Sequence, residues 1–109
     1  MKFSFKSISA AIQVAAALSE MYRGTPLTIK GLSDATGLSA SYLEQIFSRF
    51  RKAGLVSSVR GPGGGYHLDK HDLTVADVIQ AVSSGKTDFL KPVFAALESV
   101  KISEIKVAA

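Results

Sequence analysis

Apolar residues recur at intervals of three and four in five stretches of this chain, and a short alternating stretch follows the third. The first stretch, residues 8 to 22, places Ile8, Ala11, Ile12, Ala15, Leu18 and Tyr22 on one helical face, with Ser4 or Ser7 positioned to cap it. Its alanines imply close approach by a neighbouring helix. Arg23-Gly24-Thr25-Pro26 breaks the period. Thr28 then caps a short second helix with Ile29, Leu32 and Ala35 on one face, and Gly37 stands where a left-handed C-terminal residue is wanted. Ser39 or Ser41 caps a third helix, Ser41-x-x-Glu44 having the form of a capping box; Leu43, Ile46, Phe47 and Phe50 make its buried stripe. A short helix, a glycine turn and a longer capped helix predict a helix-turn-helix.

Ala53-Gly54 ends the third helix. Leu55–Val59 has the composition of a strand, Tyr66-His67-Leu68 that of its return, and Arg60-Gly61-Pro62-Gly63-Gly64-Gly65 forms the tip between them. Five consecutive glycines and prolines serve backbone geometry or close approach, not a core. After the polar turn Asp69–Asp72, Thr74 caps a helix from Val75 to about Ser84, with Val75, Val78, Ile79 and Val82 inward and Asp77 in the first turn. Pro92 falls in the first turn of a last major helix carrying Val93, Phe94, Leu97 and Val100, with Phe89 and Leu90 before it. Ile102 and Ile105 continue the apolar content, and Ser103 is placed to cap a further turn. This is more apolar surface than one short helix needs to dock, and it predicts a dimer contact. The expected fold is mainly α with a small two-stranded β wing: a winged helix-turn-helix over residues 1–84, then a C-terminal dimerisation helix region over 85–109.

Composition narrows the chemistry. The chain of 109 residues is 47% hydrophobic, which excludes disorder, and its net charge of +4 favours a polyanionic partner. The charge is unevenly placed. Between Glu44 and Asp69 there is no acidic side chain, yet Arg49, Arg51, Lys52 and Arg60 all fall there. On the third helix, Ser39, Ser41, Tyr42, Glu44 and Gln45 cluster near the N-terminus, and cations follow. A recognition helix points its N-terminal residues at base edges; glutamine pairs with adenine, glutamate accepts from the cytosine amino group, and hydroxyls adapt. Arg49, Arg51 and Lys52 would then meet phosphates. A tip without bulky side chains can enter a narrow minor groove, with Arg60 following. A polar solvated face and a plain hairpin loop are the bland alternatives; the second explains one or two glycines, not this many.

Other chemistry is poorly supported. No cysteine is present, which removes disulfides, thiolate metal sites, cysteine nucleophiles and cysteine-ligated iron–sulfur clusters. Gly61-x-Gly63-x-Gly65 lacks the spacing of a nucleotide-binding loop and precedes a strand. His67 and His71 with Asp69 and Asp72 are read as a wet connection between strand and helix, and no metal site is expected. No constellation suits an enzyme. No stretch reaches membrane-spanning length, Met1-Lys2 and the apolar run behind it are read as fold and not as a signal peptide, and a cytoplasmic location is expected.

The segment Ser41–Leu68, SYLEQIFSRFRKAGLVSSVRGPGGGYHL, closely resembles the Rrf-two family of winged-helix transcriptional regulators, in particular its members concerned with iron–sulfur cluster assembly. The likeness extends more weakly through most of residues 1 to 83. It implies a winged helix-turn-helix dimer whose long C-terminal helix crosses the partner. Carried over, Ser39, Ser41, Tyr42, Glu44 and Gln45 match the family's major-groove readers, and Arg60 and Gly61 its minor-groove wing contact. The cluster-binding members place three cysteines between the fourth helix and the dimer helix; here that region is Ser83–Lys91, SSGKTDFLK, short and without cysteine.

The expected function is therefore a sequence-specific DNA-binding regulator, a repressor, binding a palindromic double-stranded operator as a homodimer. Helix 39–53 would lie in the major groove and wing 60–65 in the minor groove, with no cysteine-ligated cluster. One alternative is a small-molecule or metal sensor with an unknown effector held between the DNA domain and the C-terminal helix, lined by Phe89, Phe94 and Tyr22. The other is a winged-helix protein-interaction module.

Overall fold

A computed structural model describes residues 4–83 and 91–106 of the chain. The elements run α1 (Phe5–Met21), α2 (Ile29–Thr36), α3 (Ala40–Lys52), β1 (Val56–Val59), β2 (Gly65–Leu68), α4 (Val75–Val82), α5 (Lys91–Leu97) and a 3-10 turn at Ile102–Glu104. The chain is mainly α with one two-stranded sheet, as the pattern predicts.

Helix α1 is the structural axis, packing against α2, α4 and the final 3-10 turn. Its start is set by a reciprocal cap: Ser4 Oγ accepts from the Ser7 N–H at 3.2 Å, and Ser7 Oγ accepts from the Ser4 N–H at 3.0 Å. Ala10, Ala11, Val14, Ala15, Ala16 and Leu18 are buried, so the helix is apolar over more than one face. Ile8, Ile12 and Tyr22, expected on the buried face, are only half-buried. Small residues let neighbours approach from two sides, and those neighbours cover the middle of the helix better than its ends.

The helix-turn-helix is pinned by side chains bonding to backbone. Thr28 Oγ1 accepts from the Gly31 N–H at 3.0 Å, and Gly37 closes α2 with φ 76°. Ser33 Oγ donates to the Leu38 carbonyl at 2.7 Å, and Gln13 Nε2 reaches from α1 to the Thr36 carbonyl at 3.2 Å. Leu32 is the buried contact of α2, whereas Ala35, expected beside it, is exposed. Ser39 caps α3, its Oγ accepting from the Tyr42 N–H at 3.2 Å. The alternative box at Ser41-x-x-Glu44 does not form, because Ser41 already lies inside the first turn.

Leu55 and Val56 are buried where the wing leaves α3. The hairpin register pairs Val56 with Leu68, Ser57 with His67, Ser58 with Tyr66 and Val59 with Gly65. A feature absent from the sequence reading completes the wing. Leu27 makes an antiparallel bridge to Tyr66, with N–H to carbonyl distances of 3.0 and 2.9 Å in the two directions. Leu27, just after the helix-breaking Arg23–Pro26, thus shields one edge of β2. The bridge explains Gly65: its φ is 153°, and a Cβ there would lie 2.2 Å from the Leu27 carbonyl oxygen.

Thr74 and Asp77 form a second reciprocal cap, the Thr74 N–H donating to Asp77 Oδ2 at 2.9 Å and the Asp77 N–H to Thr74 Oγ1 at 3.1 Å. Val75, Ala76, Val78 and Val82 are buried, Ile79 half-buried, and α4 ends at Val82, short of Ser84. The C-terminal segment returns to this point. The Val75 N–H donates to the Val100 carbonyl at 2.9 Å, the Ile102 N–H to the Leu73 carbonyl at 2.8 Å, and Ile102 is 1% exposed. The last helix is one short element, Lys91–Leu97, in which Phe94 is buried and Val93 is 49% exposed. Ser103 does not cap the final turn; Glu104 does so, accepting from the Lys101 N–H at 3.2 Å. Phe89 and Leu90 lie outside the described residues.

Two predictions follow from these packings. Gly65→Ala should cost at least about 2 kcal/mol in urea denaturation, combining a blocked backbone approach with strain. Gly61→Ala, at φ 89° with no atom within 4 Å of an added Cβ, should cost about 1 kcal/mol from strain alone. Equal losses would mean that the Leu27 bridge does not constrain the wing. The second concerns Asp77. Burial raises its pKa, but bonds from the Thr74 backbone and the Lys70 ammonium outweigh this, and the carboxyl is held below its ordinary value. Its contribution is therefore present above the ordinary carboxylate pKa and is lost as pH falls through the lowered one. Asp77→Ala should cost about 1 kcal/mol at pH 7, and its deficit should narrow steadily in acid.

Candidate nucleic-acid interface

Helix α3 serves the core and the surface at once. Leu43, Ile46, Phe47 and Phe50 are each 0% exposed. At 100° per residue, Ser41, Gln45, Ser48 and Lys52 run down the opposite side, Glu44 and Arg51 flank them on one side, and Tyr42 and Arg49 on the other. Ser41, Glu44, Gln45, Arg51 and Lys52 are exposed, and Ser48, Arg49 and Tyr42 half-buried. The helix cannot roll without exposing two phenylalanines, so this polar face is held in a fixed direction.

Arg49, Arg51 and Lys52 occupy the last turn, where cations complement the helix dipole. That placement has a purely structural use. However, among the described residues the only ion pairs are Lys30–Asp34 and Lys70–Asp77. Arg49, Arg51, Lys52 and Arg60 thus have no acidic partner within 4 Å, and their field is directed outward. Among the described residues the Glu44 and Gln45 side chains likewise have no hydrogen-bond partner, and both are exposed.

The wing joins this helix through aromatic packing. Tyr66 of β2 stacks on Phe47 of α3, ring centroids 4.3 Å apart and planes 20° from parallel, and Phe50 meets Phe47 edge-on at 5.7 Å. At the tip, the Gly64 N–H donates to the Gly61 carbonyl at 2.9 Å, and a Cβ on Gly64 would lie 2.3 Å from the Val59 carbonyl oxygen. Two of the tip's glycines, Gly64 and Gly65, are therefore required by the hairpin itself. Gly61 and Gly63, at φ 89° and 76°, have open space around them, and with Arg60 and Pro62 they form the exposed part of the tip.

The sequence reading missed Lys6. A groove beside the N-terminus of α3 is lined by Lys6 of α1 together with Gly37, Leu38, Ser39 and Tyr42. Ser39 and Tyr42 are predicted readers, so a lysine from the first helix stands next to them. Its basic character was visible in sequence, but nothing local indicates that the first turn of α1 abuts the start of α3. The other reading of Tyr22 and Phe94, as lining for an effector, has a structural competitor for each: Phe94 is 5% exposed, and Tyr22 is hydrogen-bonded to His67. Phe89 lies outside the described residues.

A family model described as Rrf2, an iron-dependent transcriptional regulator, matches residues 6–107. The HTH-type transcriptional regulator IscR of Photobacterium profundum is 59% identical over 59 residues, covering 52% of this chain and 34% of that protein. IscR of Escherichia coli is 58% identical over the same length, covering 52% and 36%. These matches thus span about a third of the length of the curated relatives. Among solved structures, T. potens IscR is 32% identical with a TM-score of 0.74, covering 95% of this chain and 85% of that one. CymR, the global cysteine regulator of B. subtilis, is 26% identical with a TM-score of 0.71, covering 95% of each. The iron dependence in the family description meets a chain with no cysteine, and no group of three metal-ligating side chains occurs among the described residues. The residues present do not fit a cysteine-ligated cluster.

Proposed function

Because this chain belongs to the Rrf2 family of transcriptional regulators, we propose that it is a sequence-specific DNA-binding repressor that works as a homodimer on a palindromic operator. The observation that carries this is a rigidly held polar helix face beside a slender wing, with Arg49, Arg51 and Lys52 on the helix and Arg60 on the wing having no acidic partner among the described residues. In this reading Ser39, Ser41, Tyr42, Glu44 and Gln45 meet base edges in the major groove. Arg49, Arg51 and Lys52 meet phosphates, joined by Lys6. Arg60 and Gly61 enter the minor groove, the glycine allowing the backbone close and the arginine answering the groove's negative potential.

Residues 1–84 form the DNA-binding unit and 85–109 the dimerisation region. Exposed Val93 and half-buried Leu97 and Val100 supply apolar surface for a second copy, and two-fold symmetry doubles the contacts to a palindrome. DNA binding needs no cysteine-ligated cluster, and the protein acts in the cytoplasm, where its operator is. Among the described residues no helix is long and apolar enough to cross a membrane.

Selection from random duplexes with metal-free protein should return a consensus of two inverted half-sites. Affinity for that site should fall by about 10³ or more between 50 and 200 mM salt. No consensus, with binding lost at physiological salt, would favour a winged-helix module whose partner is not DNA. Arg60→Ala should weaken operator binding by roughly 1–3 kcal/mol. Glu44→Ala should alter the preferred sequence more than the total affinity, and an unchanged consensus would remove Glu44 from the readers.

A further inference from the structure

We propose that Tyr22 and His67 are positioning residues for the wing: their hydrogen bond sets the angle at which Arg60 is presented. The proposal rests on the DNA-binding reading above and adds to it a device remote from the bases.

A two-stranded hairpin has little stability of its own, so the direction of this one is set by what holds it. Side chains alternate along β2. Tyr66 points one way, onto Phe47 of α3, and its backbone bridges to Leu27. His67 points the other way, and its Nδ1 lies 2.7 Å from the hydroxyl of Tyr22 at the C-terminal cap of α1. The two rings meet edge-on with centroids 5.8 Å apart, and His71 lies across the tyrosine ring at 6.4 Å. With Nδ1 unprotonated, the tyrosine hydroxyl donates to it. The first anchor ties the wing to the recognition helix. The second ties its opposite face to α1, the helix around which the core is built.

Geometry gives the second anchor leverage. His67 pairs with Ser57, three residues before Arg60, so the tip lies about 10 Å beyond the anchored pair. A 10° swing there moves the tip by about 2 Å, more than the tolerance of a hydrogen bond. Losing the Tyr22–His67 bond should therefore weaken DNA binding only insofar as Arg60 contributes.

The test compares wild type, Tyr22→Phe, Arg60→Ala and the double variant on the selected operator. Tyr22→Phe, which keeps the ring, should weaken binding by five- to tenfold alone and by less than twofold when Arg60 is already alanine. His67→Leu should behave like Tyr22→Phe, whereas His67→Asn, whose Oδ1 takes the place of Nδ1, should retain most of the affinity. Amide exchange of Gly65–His67, measured without DNA, should speed up in Tyr22→Phe at unchanged midpoint of global unfolding. Faster exchange with no operator binding by wild type would sink the DNA-binding reading and with it the role assigned to the anchor. Operator binding by wild type with an unchanged Tyr22→Phe, or with equal losses in both backgrounds, would overturn the anchor alone.

Discussion

Phe47 holds two things together. It is fully buried in the helical core, and it is the surface on which Tyr66 of the wing stacks at 4.3 Å. The polar face of α3 keeps its direction only if the helix does not roll, and the wing keeps its place only if it is fixed to that helix. One side chain imposes both conditions. Phe50, edge-on to Phe47, and Leu43 and Ile46 on the same stripe make any rotation of α3 costly in exposed apolar area.

Around that contact the chain closes its backbone accounts with small polar side chains. Ser4, Thr28, Ser39 and Thr74 each cap a helix, so four helices begin at residues legible in the sequence. The wing is closed differently. Leu27 caps the edge of β2 with two backbone bonds, which is possible only because Gly65 has no side chain. The glycine run thus has two tasks: Gly64 and Gly65 allow the chain to pack on itself, while Gly61 and Gly63 leave the tip slender. Reading the whole run as groove-entering would assign to DNA what belongs in part to the hairpin.

The relation to the family is one of retained architecture and altered chemistry. The identity to IscR is 59% over 59 residues, and among the described residues Arg49, Arg51, Lys52 and Arg60 have no acidic partner. The cysteines on which a cluster would depend have no counterpart anywhere in the chain.

Local rules reach far in this protein. The periods at 8–22, 43–50 and 75–82, the caps, the left-handed Gly37 and the hairpin turn are all short-range, set by bonds and side-chain repeats within a few residues, and they determined the fold class, the amphipathic third helix and the glycine-tipped hairpin. What the sequence could not supply depends on residues far apart along the chain. Ala35 is exposed and Ala16 buried because of which helices lie beside them, not because of their own period. Leu27 meets Tyr66 and Tyr22 meets His67 across about forty residues, and Lys6 shares a groove with Ser39 although thirty-three residues separate them. The return of Ile102 to Leu73 likewise has no local signal. Pairings of this kind are decided when the core closes, since a single residue's side chain carries no information about which distant surface will cover it.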